Sequence, residues 1–176
     1  MIIIYNCYGG THSSILTSAV HLGLLPSDRI PSKQEILNTK YFNHLRYQDM
    51  GRLIYHGVDD YGNKVYTIGR GTSSALIPAM RNLTLEMHKL YNVNEGFAYV
   101  NTSGTVPLAM TLGGFFSRGI KMDLIGIPLL AIGARQTFMN IVNLAQKTKQ
   151  LCLEKPDSCF IIDMNEKGQI SNYPAN

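Results

Sequence analysis

Charged side chains are scarce in this chain. Asp, Glu, Lys and Arg make up 16% of its 176 residues against 45% for the apolar set, with a mean hydropathy of −0.03. Intrinsic disorder requires the opposite balance and is excluded. A coiled coil would be rich in Glu, Lys and Leu at heptad spacing, and no such repeat is present. The 16 glycines follow no Gly-x-x period, which removes collagen-like structure. No run of Lys and Arg forms a stripe; 16 basic and 12 acidic residues leave a net charge of +4 and a pI near 9.0. Nucleic-acid surfaces show such clustering, so its absence argues against that partner. The mild positive bias still favours the approach of a small anion.

The opening residues Met1 to Asn6 lack the basic region and cleavage site of a secretory signal. The longest apolar run, Leu124 to Ala134, is shorter than the ~20 residues of a spanning helix and contains Pro128. A cytoplasmic protein with reduced thiols and no membrane partner is therefore expected. Cys7, Cys152 and Cys159 match no zinc spacing, so no structural metal is expected.

What is present is one phrase repeated: an apolar run, a small-residue loop, then a helical pattern. The first runs from Ile2–Tyr5 through Asn6–Ser14 into a helix that Gly23 stops. Residues 24–50 form an excursion with a capping-box signal at Ser32–Glu35, and its Ile36, Leu37, Tyr41, Phe42 and Leu45 pack over the sheet. A hairpin follows, with arms 52–57 and 64–69 around the turn 59–63. Its second arm opens the second phrase, with loop Gly69–Ser74 and a helix from about Ser74–Ile77 to Tyr91. The third is the strand Gly96–Asn101, loop Thr102–Pro107 and a helix to about Phe116. The fourth is read as a strand at 123–128, a loop through Arg135 and a helix over 136–149. Residues 159–163 and 169–173 read as an edge hairpin.

Four strand-to-helix phrases in series predict parallel strands with right-handed crossovers. The expected fold is a three-layer α/β domain with a mainly parallel sheet, P-loop-like or Rossmann-like, a β-hairpin insertion and a small C-terminal hairpin. Residues 1–150 form the domain and 151–176 a C-terminal extension packed on it.

In an open parallel sheet, ligands bind where the loops leave the strands' carboxyl ends. Here those loops hold no Asp or Glu, are rich in Gly, Ser and Thr, and carry Arg70 and Arg135. A donor-rich pocket without a carboxylate suits an anion, above all a phosphate. Gly9, Gly10, Thr11, His12, Ser13 and Ser14 form the first candidate cradle, with Arg70, Thr72 and Arg135 as further contacts and Asn101, Thr102 and Ser103 completing the pocket. Laid on the G-x-x-x-x-G-K-[ST] pattern, His12 takes the lysine position and Ser13 that of the Mg²⁺-binding hydroxyl. Asn6 and Thr11 stand at the glycine positions, so the motif is a degenerate P-loop. With Asn101 neutral, Mg²⁺ is only weakly supported as a cofactor. His12 in the clamp would make binding pH-sensitive between about 6 and 8.

The same loop also invites comparison with the C-x5-R phosphatase loop, with Cys7 as nucleophile, although Ser13 replaces the arginine. Cys7 and His12 are thus the candidate catalytic residues. His21, His44 and His88 are read as surface or core residues, Asp59 and Asp60 as turn residues, and Arg118 as lying at the opposite rim of the sheet.

The stretch Tyr5-Asn-Cys-Tyr-Gly-Gly-Thr-His-Ser-Ser14, the segment from Gly51-Arg-Leu-Ile-Tyr55 to Arg70, and Gly113-Gly-Phe-Phe-Ser-Arg118 resemble an uncharacterised domain family of spore-forming Gram-positive bacteria. The resemblance covers roughly residues 1–150 and implies no particular reaction. It places Asp-Thr-Ser where this chain has Asn101-Thr-Ser, which implies that metal-assisted catalysis is lost here. The expected activity is binding of a nucleotide or other phosphorylated small molecule, with or without phosphoryl transfer. The alternatives are a non-catalytic sensor or interaction protein on the same scaffold and a Cys7-dependent hydrolase.

Overall fold

The computed structural model of the chain describes residues 1–91, 93–154 and 160–174. Six strands form one sheet: β1 (Ile2–Cys7), β2 (Ile54–Val58), β3 (Lys64–Gly69), β4 (Phe97–Asn101), β5 (Phe160–Met164) and β6 (Ile170–Pro174), in the order β2-β3-β1-β4-β5-β6. β3, β1, β4 and β5 are mutually parallel, and β2 and β6 close the edges as antiparallel hairpin partners. The β-branched run Ile2-Ile3-Ile4 takes the central position, where both faces are buried, as such a run requires.

The two faces are read from the alternation along β1. Ile4, with Ile68, Tyr99 and Ile161, packs against Ile77 and Met80 of α3 (Leu76–Tyr91). Ile3 and Tyr5, with Val65, Ala98 and Ile162, face Leu144, Leu151 and Cys152 of α5 (Asp123–Leu153). The second face also carries α1 (Ser13–His21), packed on α5. The expected three layers are therefore present, α3 on one side and α1 with α5 on the other. α2 (Lys33–Leu37) and α4 (Leu108–Gly114) lie outside this pair, with Ile36, Phe42 and Met110 in the same apolar cluster. The Ser32–Glu35 capping box forms as read.

The fourth phrase is different from its reading. Residues 123–153 form one 31-residue helix, with Pro128 inside it and no strand or loop. An apolar run is equally a buried strand or a buried helix, and Gly133 decides it: a Cβ there would lie 2.5 Å from the backbone nitrogen of Met110, so the glycine admits α4 against α5. Arg135 is consequently an exposed residue in mid-helix and does not follow a strand. The fourth parallel strand is β5, and β5–β6 is the hairpin read in the tail. Cys159, the first residue of its expected first arm, lies outside the described residues. α5 is also long and apolar enough to cross a membrane, contrary to the run-length reading, but half of its apolar stretch is buried against the rest of the domain.

At the edge opposite the strands' carboxyl ends, Tyr5 OH donates to His21 Nδ1 (2.6 Å), and His21 Nε2–H donates to Asp59 Oδ2 (3.0 Å). Asp59 also accepts from Tyr61 N, Asn63 N and Asn63 Nδ2, as its turn role requires. All three side chains in the chain of bonds are buried. It ties α1 and β1 to the β2–β3 turn. Substituting Tyr5→Phe leaves the buried His21 Nδ1 without a donor, which costs about 1–3 kcal/mol. Urea denaturation should show that loss; an unchanged midpoint and slope would show that the bond contributes nothing.

Candidate functional site

The first loop does not stand free above the sheet. The β1–β3 ladder continues past the strands, with Arg70 N donating to Cys7 O and Gly71 N to Tyr8 O, both at 2.9 Å. Gly10, at φ +66°, lies so close to β3 that a Cβ there would be 2.5 Å from Gly69 N. A Cβ on Gly69 would in turn be 2.8 Å from the Gly9 carbonyl. The glycines read as a phosphate cradle therefore admit one backbone against another.

The hydroxyls of this loop face inward. Ser13 and Ser14 are fully buried. Ser13 Oγ bonds to Thr102 Oγ1 (2.9 Å), and Thr102 donates on to Asn6 O (3.1 Å). Thr11 Oγ1 donates to Tyr41 O and accepts from Leu45 N, both at 3.2 Å. Cys7 is buried with its Sγ 3.3 Å from Ser14 Oγ, and it accepts from Gly10 N at 3.2 Å.

His12 points to the α1–α5 side of the sheet. Its Nε2–H donates to Asn43 Oδ1 (3.1 Å), which also accepts from Arg118 Nε (3.0 Å). Asn43 Nδ2 donates to Ser117 Oγ, and Ser117 donates to Asp123. Both polar atoms of the Asn43 side chain are thus bonded, Oδ1 twice and Nδ2 once, and its own backbone sits in the left-handed region at φ 56°. Burial lowers His12 to about 4, the Asn43 bond opposes this, and the Arg118 charge adds to it. His12 is neutral from pH 6 to 8, so the expected pH dependence of binding does not arise from it. Arg118 stands beside the first loop at the carboxyl rim, and the expectation of the opposite rim is corrected. Its position follows from the five-residue π-turn 115–119, which no sequence periodicity signals.

The other side of the loop is open. β1 leads into α1 on one face while β3 leads into α3 on the other, and adjacent strands that diverge in this way leave a crevice at their carboxyl ends. A groove of about 380 Å³ lies there, bounded by Tyr8 and Tyr47, whose hydroxyls are bonded at 2.7 Å, and by Arg70, Thr72, Ser73 and Leu76. Arg70 Nη2 donates to Ser103 Oγ (3.3 Å), so the side chain spans the end of β1 from β3 to the β4 loop. Its Nε is buried with no hydrogen-bond partner.

Asn101 and Glu166 close this side. Asn101 Oδ1 accepts from Ser103 N (2.9 Å), and its Nδ2 donates to Glu166 Oε2 (3.2 Å). Glu166 and Asp123 bring carboxylates to a rim that the strand-end loops alone did not contain. Glu166 comes from the β5–β6 turn, and only the sheet order reveals it. Thr72 is exposed, and Arg135 is on α5, outside the crevice. Among the described residues no three His, Cys, Asp or Glu side chains cluster as metal ligands. A larger cavity, about 570 Å³, lies between α1 and the α2 segment over Ile15, Ala19 and Leu25, and none of the strand-end loops lines it.

Residues 2–150 match the family described as "Protein of unknown function (DUF3189)", and the chain belongs to that family. No curated protein and no solved structure matches it.

The histidines fix an acid limit for this architecture. His12 and His56 are each lowered to about 4, chiefly by burial, and burial also lowers His21. The folded state thus favours their neutral forms. That stability is complete above the ordinary value near 6.5 and is lost as pH falls from there toward 4. Denaturation midpoints should be flat from pH 8 to 7 and fall between 6.5 and 4, with a shallower fall in His12→Asn. An identical fall in that variant would separate His12 from the effect.

Proposed function

We propose that the chain binds a phosphorylated small molecule, a nucleotide being one such, in the groove between the carboxyl ends of β1 and β3, with Arg70 as the anion anchor. One observation carries this reading: Arg70 is held across the end of β1 by Ser103 while its buried Nε has no partner. A buried guanidinium N–H without an acceptor is costly, and an oxyanion supplies that acceptor with a charge-assisted bond. Thr72 and Ser73 add hydroxyls at the rim, and the α3 N-terminus follows directly. The phosphate site thus moves from the start of α1, where Gly10 is pressed on Gly69, to the α3 side of the same loop.

Holding without turnover is the second half of the proposal. Phosphoryl transfer needs a metal or cation on the transferring group and a group that positions the nucleophile. Ser13, in the Mg²⁺-ligand position, is buried on Thr102, Asn101 is neutral and bonded to Glu166, and His12 is neutral on Asn43. Cys7 sits with Ser14 on the α1 side, across the sheet from Arg70, which separates the thiol from the proposed anchor. These features support a sensor or carrier. The buried free thiols Cys7 and Cys152 fit a reducing, cytoplasmic setting.

Calorimetric titration with pyrophosphate and with ATP tests the anchor. Arg70→Met keeps the aliphatic stem and should weaken both at least about tenfold, with an unchanged melting temperature. Equal affinity in the variant would remove Arg70 from the site. Phosphate release from ATP by the unaltered protein should match the buffer rate, and sustained release would overturn the non-catalytic half.

A further inference from the structure

Asn6 is the residue that sequence reasoning passed over, having met it only as a departure from a glycine position. It is 1% exposed, and its backbone carbonyl is doubly bonded by Thr102, yet its side-chain Oδ1 has no partner. The strand register places it. Asn6 stands beside Ile68 of β3 and Asn101 of β4, and Ile68 belongs to the α3-side cluster. Arg70 is two residues beyond Ile68 and so projects to the same face. To reach Ser103 from β3, its guanidinium must pass over the end of β1, where Asn6 lies. The register therefore puts an orphaned acceptor and an orphaned donor on one face at the end of β1, beneath the residues that line the groove, with Glu166 bonded to Asn101 on the β4 side.

Their chemistry is complementary to one kind of group. Arg70 Nε needs an acceptor that carries negative charge, and Asn6 Oδ1 needs a donor. Sulfate offers only acceptors at neutral pH. Inorganic phosphate offers both, because each of its forms at neutral pH keeps a proton; a phosphomonoester, whose second ionisation lies near pH ~6, offers both only in its singly protonated form. We propose that Asn6 and Arg70 form a subsite for an oxyanion that carries its own O–H, with Asn6 Oδ1 accepting from that hydroxyl, so that the groove selects inorganic phosphate, or a phosphomonoester in its singly protonated form, over sulfate. The proposal rests on the reading of the groove as an anion site, and it adds the residue that decides which anion.

Titration with inorganic phosphate and with sulfate at pH 7 and constant ionic strength provides the test. The unaltered protein should bind phosphate at least about tenfold more tightly than sulfate, because sulfate leaves the buried acceptor unpaired. Asn6→Leu should bring the two affinities together, and Asn6→Ala serves if the leucine variant does not fold. Methyl phosphate keeps its proton only below about pH 6, so its affinity relative to inorganic phosphate should rise as pH falls from about 7.5 to 5.5; a ratio that does not change with pH would overturn the subsite. Equal affinity for sulfate and phosphate in the unaltered protein overturns the subsite and leaves Arg70 standing, as would a preference that survives both Asn6 variants. Absence of binding by either anion overturns the anion site itself, and the subsite with it.

Discussion

Everything at the carboxyl edge of this sheet depends on a contact between two stretches of backbone. Gly9 and Gly10 lie against Gly69 so closely that a side chain on Gly10 or Gly69 would collide with main-chain atoms. Two ladder bonds, Arg70 to Cys7 and Gly71 to Tyr8, carry the β1–β3 pairing beyond the strands over the same seam. The first loop is folded down on β3 by this contact and does not arch free of the sheet. The contact also fixes the direction in which Arg70 leaves β3, and so where on the same edge the proposed anchor stands.

The seam divides the polar residues into two groups with opposite character. On the α1–α5 side, Asn43 joins His12, Arg118 and Ser117, and Asp123 terminates the chain of bonds. Both polar atoms of the Asn43 side chain are bonded there, and such a partly buried network rigidifies what it joins. It holds the 38–46 segment and the α4–α5 junction to the first loop. On the α3 side, Arg70 Nε and Asn6 Oδ1 are buried and unpaired at the groove end, as are Arg81 Nε and both ring nitrogens of His88 farther along α3. Unsatisfied buried groups are rare in native structures and call for a functional explanation. The two sides differ in what remains to be bonded.

Much of this was legible in the residues. The run Ile2–Ile4 announced a central strand, Ser32 and Glu35 announced a capping box, and the hairpin turn at 59–63 formed with Asp59 in its local role. Arg70 was legible as a cation at a strand end, and Ser103 as a hydroxyl in the next such loop. The failures have physical causes. Residues 123–135 have the composition of a buried strand and of a buried helix alike, and what decides between them is a glycine contact with α4, a tertiary fact. Arg135 was misplaced as a consequence. The first-loop glycines were read as letting backbone approach a ligand; they admit the β3 backbone, a partner that sequence does not name. Glu166 and Arg118 reach the rim through sheet order and a π-turn, neither of which leaves a periodic trace. Asn6 is one polar residue in an apolar strand, and only its unpaired oxygen distinguishes it.

The proposed open site lies on the α3 side of the first loop, at Arg70, with the start of α1 closed. A crystal structure grown in inorganic phosphate tests this most directly. The expected result is an anion within hydrogen-bond distance of Arg70 Nε and Asn6 Oδ1, with Gly10 still seated on Gly69. An anion at the start of α1 with the first loop lifted from β3, or an Arg70 Nε left without an anion, would contradict it.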